Sequence, residues 1–349
     1  MTRAEHGGDD LPDHSAPPPP GGVRRVLLLA HTGRDDAREV ATAFVRGLAG
    51  NGIIVRLLAA EAADLGVSAG DVEPAVEIAE EETEASRGCE LAVVIGGDGS
   101  ILRAIELTWA HETPILGVNL GHVGFLAEAE PEHTDETVDA IVAGRYTVED
   151  RMTLDVRVYR EGVLVAETFA VNEASVEKAA RERMLEVVVE VDGRPLSRWG
   201  CDGVVCATPT GSTAYNFSAG GPVVWPEVEA LCVVPISAHA LFARSLVVAP
   251  TSVLAIEVLA RTDGEGVLWC DGRRTVALPP GARIEVRRHS RPARLARLHE
   301  APFTDRLVAK FGLRVEGWRG EGERRQRERA ATHPAPTHRA DHPDEAGHR

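Results

Sequence analysis

Lysine is almost absent from this 349-residue chain, which contains only Lys178 and Lys310. The phosphate-binding loop Gly-x-x-x-x-Gly-Lys-Ser/Thr is also absent, and its absence excludes the commonest mechanism of nucleoside triphosphate binding. Any phosphate group that the chain binds must therefore be held by arginine, by backbone N–H groups or by a metal ion.

Cysteine is sparse as well, and no two cysteines have the spacing of a metal or redox motif. The five cysteines are dispersed and odd in number, which favours reduced thiols in the cytoplasm over a disulfide framework or structural zinc. No apolar run reaches the roughly 18 residues of a membrane span. The formal net charge of −16 argues against nucleic acid or an anionic membrane as the main partner, since both bind clustered basic side chains.

The most informative stretch is a glycine turn with a carboxylate in its middle. The apolar run 91–95 predicts a buried strand, residues 96–100 read Gly-Gly-Asp-Gly-Ser, and a helical pattern follows at once. Glycines let backbone N–H groups approach an anion, and a helix N-terminus adds a favourable partial charge. Asp98 would repel a phosphate, so it either caps the helix, holds a divalent cation or takes a proton from a hydroxyl.

The first part of the chain predicts alternating strands and helices. Residues 1–22 end in a proline run and predict a disordered leader. Strand patterns at 24–30, 53–58 and 115–118 alternate with helical patterns after Asp35, at 72–87 (strongly acidic) and at 134–143. The alternation predicts a doubly wound, Rossmann-like α/β domain over residues 23–147.

The pattern changes near residue 148. Apolar and polar residues then alternate in short runs, and the Asp192-Gly193 pair marks a hairpin turn. We expect a second domain over 148–300, an all-β, sandwich-like domain, and a closing segment at 301–315 that returns to the α/β domain. Residues 316–349 predict a disordered tail, whose histidines have no spacing that fixes a metal geometry.

Two polar clusters follow predicted strands. Residues 119–126 contain two glycines and predict a second wall beside the glycine turn, in which His122 is more simply an ordinary loop histidine than a phosphate or proton partner. Asn172 and Glu173 end an apolar run. The amide can read the edge of a base and the carboxylate can accept hydrogen bonds from ribose hydroxyls, although a plain strand-end turn remains the alternative.

A third cluster begins at Asp202 and continues through residues 208–222, a loop rich in hydroxyls, small residues and glycines. Its small side chains permit close approach, and Tyr215 can stack or donate, so the loop fits a sugar-phosphate site better than a solvated linker. Residues 235–244 predict either a helix or a bend, and the sequence leaves open whether His239 and Arg244 face the crevice.

With these stretches together, the chain resembles the NAD kinase family over residues 23–313. The resemblance depends on Gly-Gly-Asp-Gly at 96–99, Asn-Leu-Gly-His-Val-Gly-Phe-Leu at 119–126, Asn-Glu at 172–173, Asp-Gly at 202–203 and Thr-Pro-Thr-Gly-Ser-Thr-Ala-Tyr at 208–215. Gly-Gly-Asp-Gly alone is also found in diacylglycerol-type lipid kinases and 6-phosphofructokinases, whereas the ordered set is specific.

The resemblance implies a phosphoryl transfer from ATP or polyphosphate to the 2′-hydroxyl of the adenosine ribose of NAD. It implies that Asp98 is the proton acceptor. The implied NAD-binding residues are Asp98, Gly99, Asn172, Glu173, Asp202, Thr210, Thr213, Ala214, Tyr215, Asn216, Phe217 and Ser218. The implied phosphate-binding residues are Gly96, Gly97, Gly99, Ser100 and Arg103.

It further implies a homodimer or homotetramer. Phosphoryl transfer needs charge neutralisation, so we also expect Mg²⁺ or another divalent cation, with unassigned ligands. The cysteines and the net charge predict a cytoplasmic location with no nucleic acid or membrane partner. Two alternatives remain at this stage. One is a kinase of the same glycine-turn type that acts on a lipid or a sugar phosphate. The other is a dinucleotide-sensing module without catalysis, which would leave Asp98 unexplained.

Overall fold

A computed structural model describes residues 22–68, 76–80, 82–121, 124–180, 184–260, 264–299 and 302–314. The predicted leader (except residue 22), His122 and the predicted tail lie outside the described residues. The described residues divide after Phe303 into two compact units. Among the described residues, no helix combines the length and apolar character needed to cross a bilayer.

Strands dominate the described residues. They are β1 (Arg25–Ala30), β2 (Ile54–Leu58), β3 (Val76–Ala79), β4 (Leu91–Ile95), β5 (Ile115–Val118), β6 (Thr147–Arg151), β7 (Leu154–Arg160), β8 (Val163–Ala170), β9 (Glu173–Lys178), β10 (Leu185–Val191), β11 (Arg194–Cys201), β12 (Gly203–Ala207), β13 (Leu231–Ile236), β14 (Leu246–Val248), β15 (Leu254–Val258), β16 (Gly266–Cys270), β17 (Arg274–Leu278), β18 (Arg283–Arg288) and β19 (Ala293–Arg297). The α-helices are α1 (Asp35–Gly50), α2 (Ala59–Leu65), α3 (Asp98–Thr108), α4 (Thr134–Val142), α5 (Tyr215–Ser218) and α6 (Phe303–Phe311). Short 3₁₀ turns cover Glu82–Glu84, Pro131–His133 and Thr210–Thr213.

The first sheet has the strand order β3-β2-β1-β4-β5-β19-β6. Strands β1 to β5 are parallel, β19 continues parallel to β5, and β6 closes the sheet antiparallel to β19. Along β1, Val26 and Leu28 pack into one apolar cluster while Leu27 and Leu29 pack into another. Both faces of this sheet are therefore covered, which explains the unbroken apolar runs that predicted a doubly wound domain.

The second half consists of two antiparallel six-stranded sheets, β11-β10-β15-β18-β7-β8 and β14-β13-β12-β9-β16-β17. A single apolar cluster draws side chains from both sheets and includes the fully buried Trp199. Asp192 and Gly193 have φ values of 53° and 72° and form the predicted turn between β10 and β11. The predicted α/β and all-β fold classes are confirmed.

The helix predicted over 72–87 is wrong where the structure describes it. Residues 76–79 form β3, an edge strand parallel to β2. Glu77 contacts Arg25 at 3.1 Å and Arg56 at 2.7 Å, so arginines of neighbouring strands neutralise a carboxylate that looked like part of a solvated helix face. The sequence shows the acidic residues but not their cross-strand partners.

Candidate active site

The glycine turn follows β4, which is buried throughout, and leads directly into α3. The Gly96 N–H donates to Val118 O at 2.9 Å, which ties the turn to β5. A side chain at Gly96 would approach Ser100 Cβ to 2.8 Å, whereas Gly97 and Gly99 face open space. The turn therefore packs on one side and presents backbone N–H groups at the start of α3 on the other.

The Asp98 carboxylate is fixed by the neighbouring loop that was predicted as a second wall. Phe125 N–H donates to Asp98 Oδ2 and Leu126 N–H donates to Asp98 Oδ1, both at 3.1 Å. Gly124 packs against the same carboxylate, because a Cβ there would lie 3.1 Å from Asp98 Cγ. Asp98 is half-buried, so the two N–H groups hold its orientation while part of it stays accessible.

A cavity of about 330 Å³ opens beside the turn, and we call it the glycine-loop cleft. Among its lining residues are the predicted Gly97, Gly99, Ser100 and Arg103, together with His31, Glu61 and Arg273. Sequence interpretation missed the last three. His31 directly follows β1, the strand next to β4 in the sheet, and that position was an available signal. No sequence signal pointed to Glu61 or Arg273, since each belongs to a stretch that is far from the glycine turn in the sequence and contains no motif.

Glu61 and Arg103 face each other in this cleft. Arg103 Nη1 donates to Glu61 Oε1 at 3.3 Å, and Arg103 Nη2 lies 4.0 Å from Glu82 Oε1. The Arg103 side chain is 41% exposed, whereas that of Glu61 is 5% exposed. Burial raises the pKa of Glu61 to about 7 even though Arg103 opposes the shift.

The backbone of the Asn-Glu pair is held by a buried carboxylate from another strand end. Asp271 accepts the N–H groups of Val171 at 2.9 Å and Asn172 at 2.7 Å. Arg274 pairs with Asp271 at 2.7 Å and also with Glu106 of α3 at 3.1 Å. A continuous line of contacts therefore joins the helix of the glycine turn to Asn172 within the first unit.

The Glu173 side chain, the second member of the Asn-Glu pair, is buried. It accepts the Tyr215 N–H at 3.3 Å. Burial, reinforced by the negative charge of Asp271, raises the pKa of Glu173 to about 8. In the ligand-free chain at neutral pH the carboxyl is mainly protonated, so it can donate one hydrogen bond as well as accept others.

The hydroxyl-rich loop forms a 3₁₀ turn over Thr210–Thr213 followed by α5. Thr210 is 8% exposed and Asn216 is fully buried. Asn216 Nδ2 donates to Ser212 O and Pro222 O, at 3.3 and 3.1 Å. The Asn216 side chain thus holds the loop together. Thr213 and Ala214 are half-buried, and the side of the loop that remains exposed carries Tyr215, Phe217 and Ser218.

Asp202 lies between β11 and β12 and pairs with Lys178 at 2.6 Å. The hydrogen bond from Lys178 holds the pKa of Asp202 below its usual range. His239 is close enough to add to this lowering. It forms an isolated antiparallel bridge with Gly200, and residues 235–244 contain no helix. Arg244 is exposed.

Comparison with known proteins gives one consistent result. Two family models match the chain, the ATP-NAD kinase N-terminal domain over residues 26–146 and the ATP-NAD kinase C-terminal domain over 171–298. The chain is similar to NAD kinase 2 of Streptomyces avermitilis, with 61% identity over 299 residues that cover 85% of this chain and 97% of that protein. It is 59% identical over 301 residues to NAD kinase of Thermobifida fusca, covering 85% and 92% of the two chains.

Solved structures show the same fold. A yeast NADH kinase complexed with NADH superimposes with a TM-score of 0.76 at 23% identity, covering 84% of this chain and 89% of that one. An NAD kinase from Archaeoglobus fulgidus in complex with ATP gives a TM-score of 0.58 at 26% identity, covering 83% and 97%.

Proposed function

The chain belongs to the NAD kinase family, and from that membership we propose that its site transfers the terminal phosphoryl group of ATP to the 2′-hydroxyl of the adenosine ribose of NAD. The protein is a phosphotransferase that acts on NAD. The observation that carries the assignment of the site is the Asp98 carboxylate, which two backbone N–H groups hold at the mouth of the glycine turn.

Asp98 is the general base in this proposal. A ribose hydroxyl is a weak nucleophile, and a carboxylate at fixed geometry can take its proton as the oxygen approaches phosphorus. The bond from O2′ to the γ-phosphorus forms, the bond from that phosphorus to the bridging oxygen of ADP breaks, and the hydroxyl proton moves to an Asp98 oxygen. Phosphoryl transfer needs mainly positioning and charge neutralisation, and a rigid strand-end loop supplies the first of these.

The glycine-loop cleft is the proposed site of the donor phosphates. Backbone N–H groups at 97–99, Ser100 Oγ and Arg103 supply donors there, and Arg273 adds positive charge from the other half of the chain. The description of the family models and the ATP-bound relative support ATP as the donor, and polyphosphate remains the alternative donor. Among the described residues there is no group of three acidic, His or Cys side chains that forms a cation cage, which fits a Mg²⁺ bound mainly by the donor's own phosphate oxygens.

NAD is proposed to lie along Asn172, Glu173, Asp202 and the exposed side of residues 213–218. The mainly protonated Glu173 would donate to a ribose oxygen and accept from a hydroxyl, while Asn172 would use both functions of its amide. Thr210 and Asn216 would then support this surface from behind, since both are buried.

We also propose a cytoplasmic homo-oligomer. All five cysteines are free thiols, which supports a reducing compartment. The edge strand β8 exposes Val163, Leu164 and Val165 by 65%, 45% and 47%, and an apolar edge of this kind is typical of a surface that is covered in an assembly. Light scattering of the purified chain would contradict this part if it gave the mass of a single chain.

The test of the site is direct. The full chain, mixed with NAD, ATP and Mg²⁺, is expected to produce NADP, and Asp98→Asn is expected to lower kcat by about 10²- to 10⁴-fold with a small change in the KM for NAD. Asp135→Asn, an exposed residue in the first turn of α4, is the control and should behave like wild type. No NADP from the intact chain, or undiminished NADP from Asp98→Asn, would refute the proposal, and tight NAD binding without turnover would favour a sensing module.

A further inference from the structure

Glu61 is a buried carboxylate in the glycine-loop cleft that the proposed reaction does not use. Only 5% of its side chain is exposed, yet it lines the same cavity as Gly97, Gly99 and Ser100. Its Oε2 atom is buried without a hydrogen-bond partner among the described residues. A buried carboxylate is costly unless it is paired. The groups that pair with Glu61 therefore determine whether it is charged.

Two groups of the described residues stabilise the Glu61 carboxylate: a backbone hydrogen bond from Ala30 and the guanidinium of Arg103, which is its one cationic partner there. Arg103 Nη1 reaches Glu61 Oε1 at 3.3 Å in a contact that is not bidentate. The other terminal nitrogen lies 4.0 Å from Glu82, whose side chain is 66% exposed. A doubly charged phosphate group in the cleft that accepts two hydrogen bonds is a stronger partner for a guanidinium than a single carboxylate oxygen.

Donor binding therefore creates a conflict for Glu61. If Arg103 turns to a phosphate, the Glu61 carboxylate loses its pair and gains a like charge beside it. Both changes favour the neutral acid over the carboxylate.

We propose that Glu61 and Arg103 form a proton-coupled switch in the donor cleft. Arg103 pairs with Glu61 when the cleft is empty and moves to the donor phosphate when ATP binds, and Glu61 then takes up one proton from the buffer. This inference rests on the proposed function, because it needs ATP phosphates in the glycine-loop cleft.

The starting state of Glu61 suits such an exchange. Its pKa of about 7 results first from burial, which Arg103 opposes and Glu82 reinforces, so both charge states are populated near neutral pH. His31 and Arg273 are the other titratable or charged side chains that line the cleft. Donor binding raises the pKa of Glu61 further, so ATP affinity should fall as pH rises through about 7.

The experiment counts protons. The NAD-saturated full chain is titrated calorimetrically with Mg²⁺ and β,γ-imido-ATP at pH 7.5, in two buffers of different ionisation enthalpy. Wild type is expected to take up about half a proton or more beyond Glu61→Gln, because most Glu61 is ionised at that pH. Proton changes of the nucleotide itself cancel in this difference. The affinity of wild type for the nucleotide should fall about tenfold between pH 6 and pH 8, relative to the affinity of Glu61→Gln over the same range. At pH 8 Glu61→Gln should therefore bind the nucleotide about tenfold more tightly than wild type.

Two variants control for neighbours. His31→Gln removes the other group in the cleft that can bind a proton, and Glu82→Gln removes the exposed carboxylate near Arg103. Both should keep the proton uptake of wild type. Loss of uptake in His31→Gln with retention in Glu61→Gln would overturn the proposal.

Two further outcomes would also overturn it. Glu61→Gln could follow the same pH dependence as wild type, or it could bind nucleotide more weakly at every pH, in which case the carboxylate only holds Arg103. A purely structural role would change stability without changing the proton count. If NADP is formed and nucleotide binds but no proton difference is found, only this inference fails, whereas absence of nucleotide binding and of NADP formation would mean that the proposed function fails.

Discussion

Gly124→Ala is expected to lower kcat by about 100-fold while the chain stays folded. An alanine Cβ would overlap Asp98 Oδ1 and lie 3.1 Å from Asp98 Cγ. To regain ordinary contact distance the carboxylate must move by roughly 1 Å. That displacement also weakens the hydrogen bonds from Phe125 and Leu126 that fix it.

The size of the effect follows from this displacement. A misplacement of about 1 Å in a reacting group costs on the order of 10² in rate, which corresponds to about 2.7 kcal/mol in the activation barrier. NADP formation under saturating NAD and ATP measures kcat, and thermal unfolding tests whether the fold is retained. Gly50→Ala, at the end of α1 where a Cβ meets nothing within 4 Å, is the matched glycine control.

A double-mutant cycle separates this cause from a general disturbance. Because Gly124→Ala acts through Asp98, it should cost less than about threefold when Asp98 is already asparagine. A Gly124→Ala enzyme with kcat within twofold of wild type would refute the reasoning. So would a full 100-fold loss in the Asp98→Asn background.

Three further predictions concern stability and loop geometry. Glu173 has a pKa of about 8, above its value in an unfolded chain, so the stability it contributes is complete below about pH 4.5 and is lost as pH rises through 8. From pH 6 to pH 9 wild type should lose about 2.7 kcal/mol of unfolding free energy relative to Glu173→Gln by urea denaturation, and parallel pH profiles would contradict this. Arg297, 8% exposed, pairs with Glu128 at 3.1 Å and with Glu149 at 2.9 Å, so Arg297→Met should cost about 3 kcal/mol or more in the same assay. Arg294→Met should cost less than about 1 kcal/mol, because the Arg294 side chain is 31% exposed and its one carboxylate partner, Asp150, is 60% exposed. In Gly211→Ala the new Cβ would lie 2.7 Å from Asn172 Cα and overlap its carbonyl, so the KM for NAD should rise at least about tenfold, and an unchanged KM would show that the loop moves freely.

The sequence predicts the parts of this fold whose cause is local. The apolar run 91–95 becomes β4, since a strand buried on both faces must be apolar throughout. The alternating valines of β10 lie buried in one core, since alternation reports a sheet with one covered face. The helix prediction for residues 76–79 is wrong because Arg25 and Arg56 neutralise Glu77, and these arginines contact it only after the sheet has formed.

The same limit applies to the site. Asp98 can be identified from its immediate sequence, because a carboxylate among phosphate-binding glycines is unfavourable unless it has a function. Glu61 does not, because Ala-Ala-Glu-Ala-Ala-Asp at 59–64 is an ordinary solvated helix pattern, and only the fold turns that side chain inward. Arg273 and Asp271 come from a turn about a hundred residues beyond Asn172, and no short-range pattern connects the two.

The place of β19 in the first sheet has a consequence for synthesis. This strand, residues 293–297, lies between β5 and β6, so the sheet begun by the first strands cannot close until almost 300 residues have left the ribosome. Until then the edge of β5 is open to pairing with other chains. A truncated chain that stops before β19 should therefore aggregate, and the amino-terminal half depends for its completion on the segment made last.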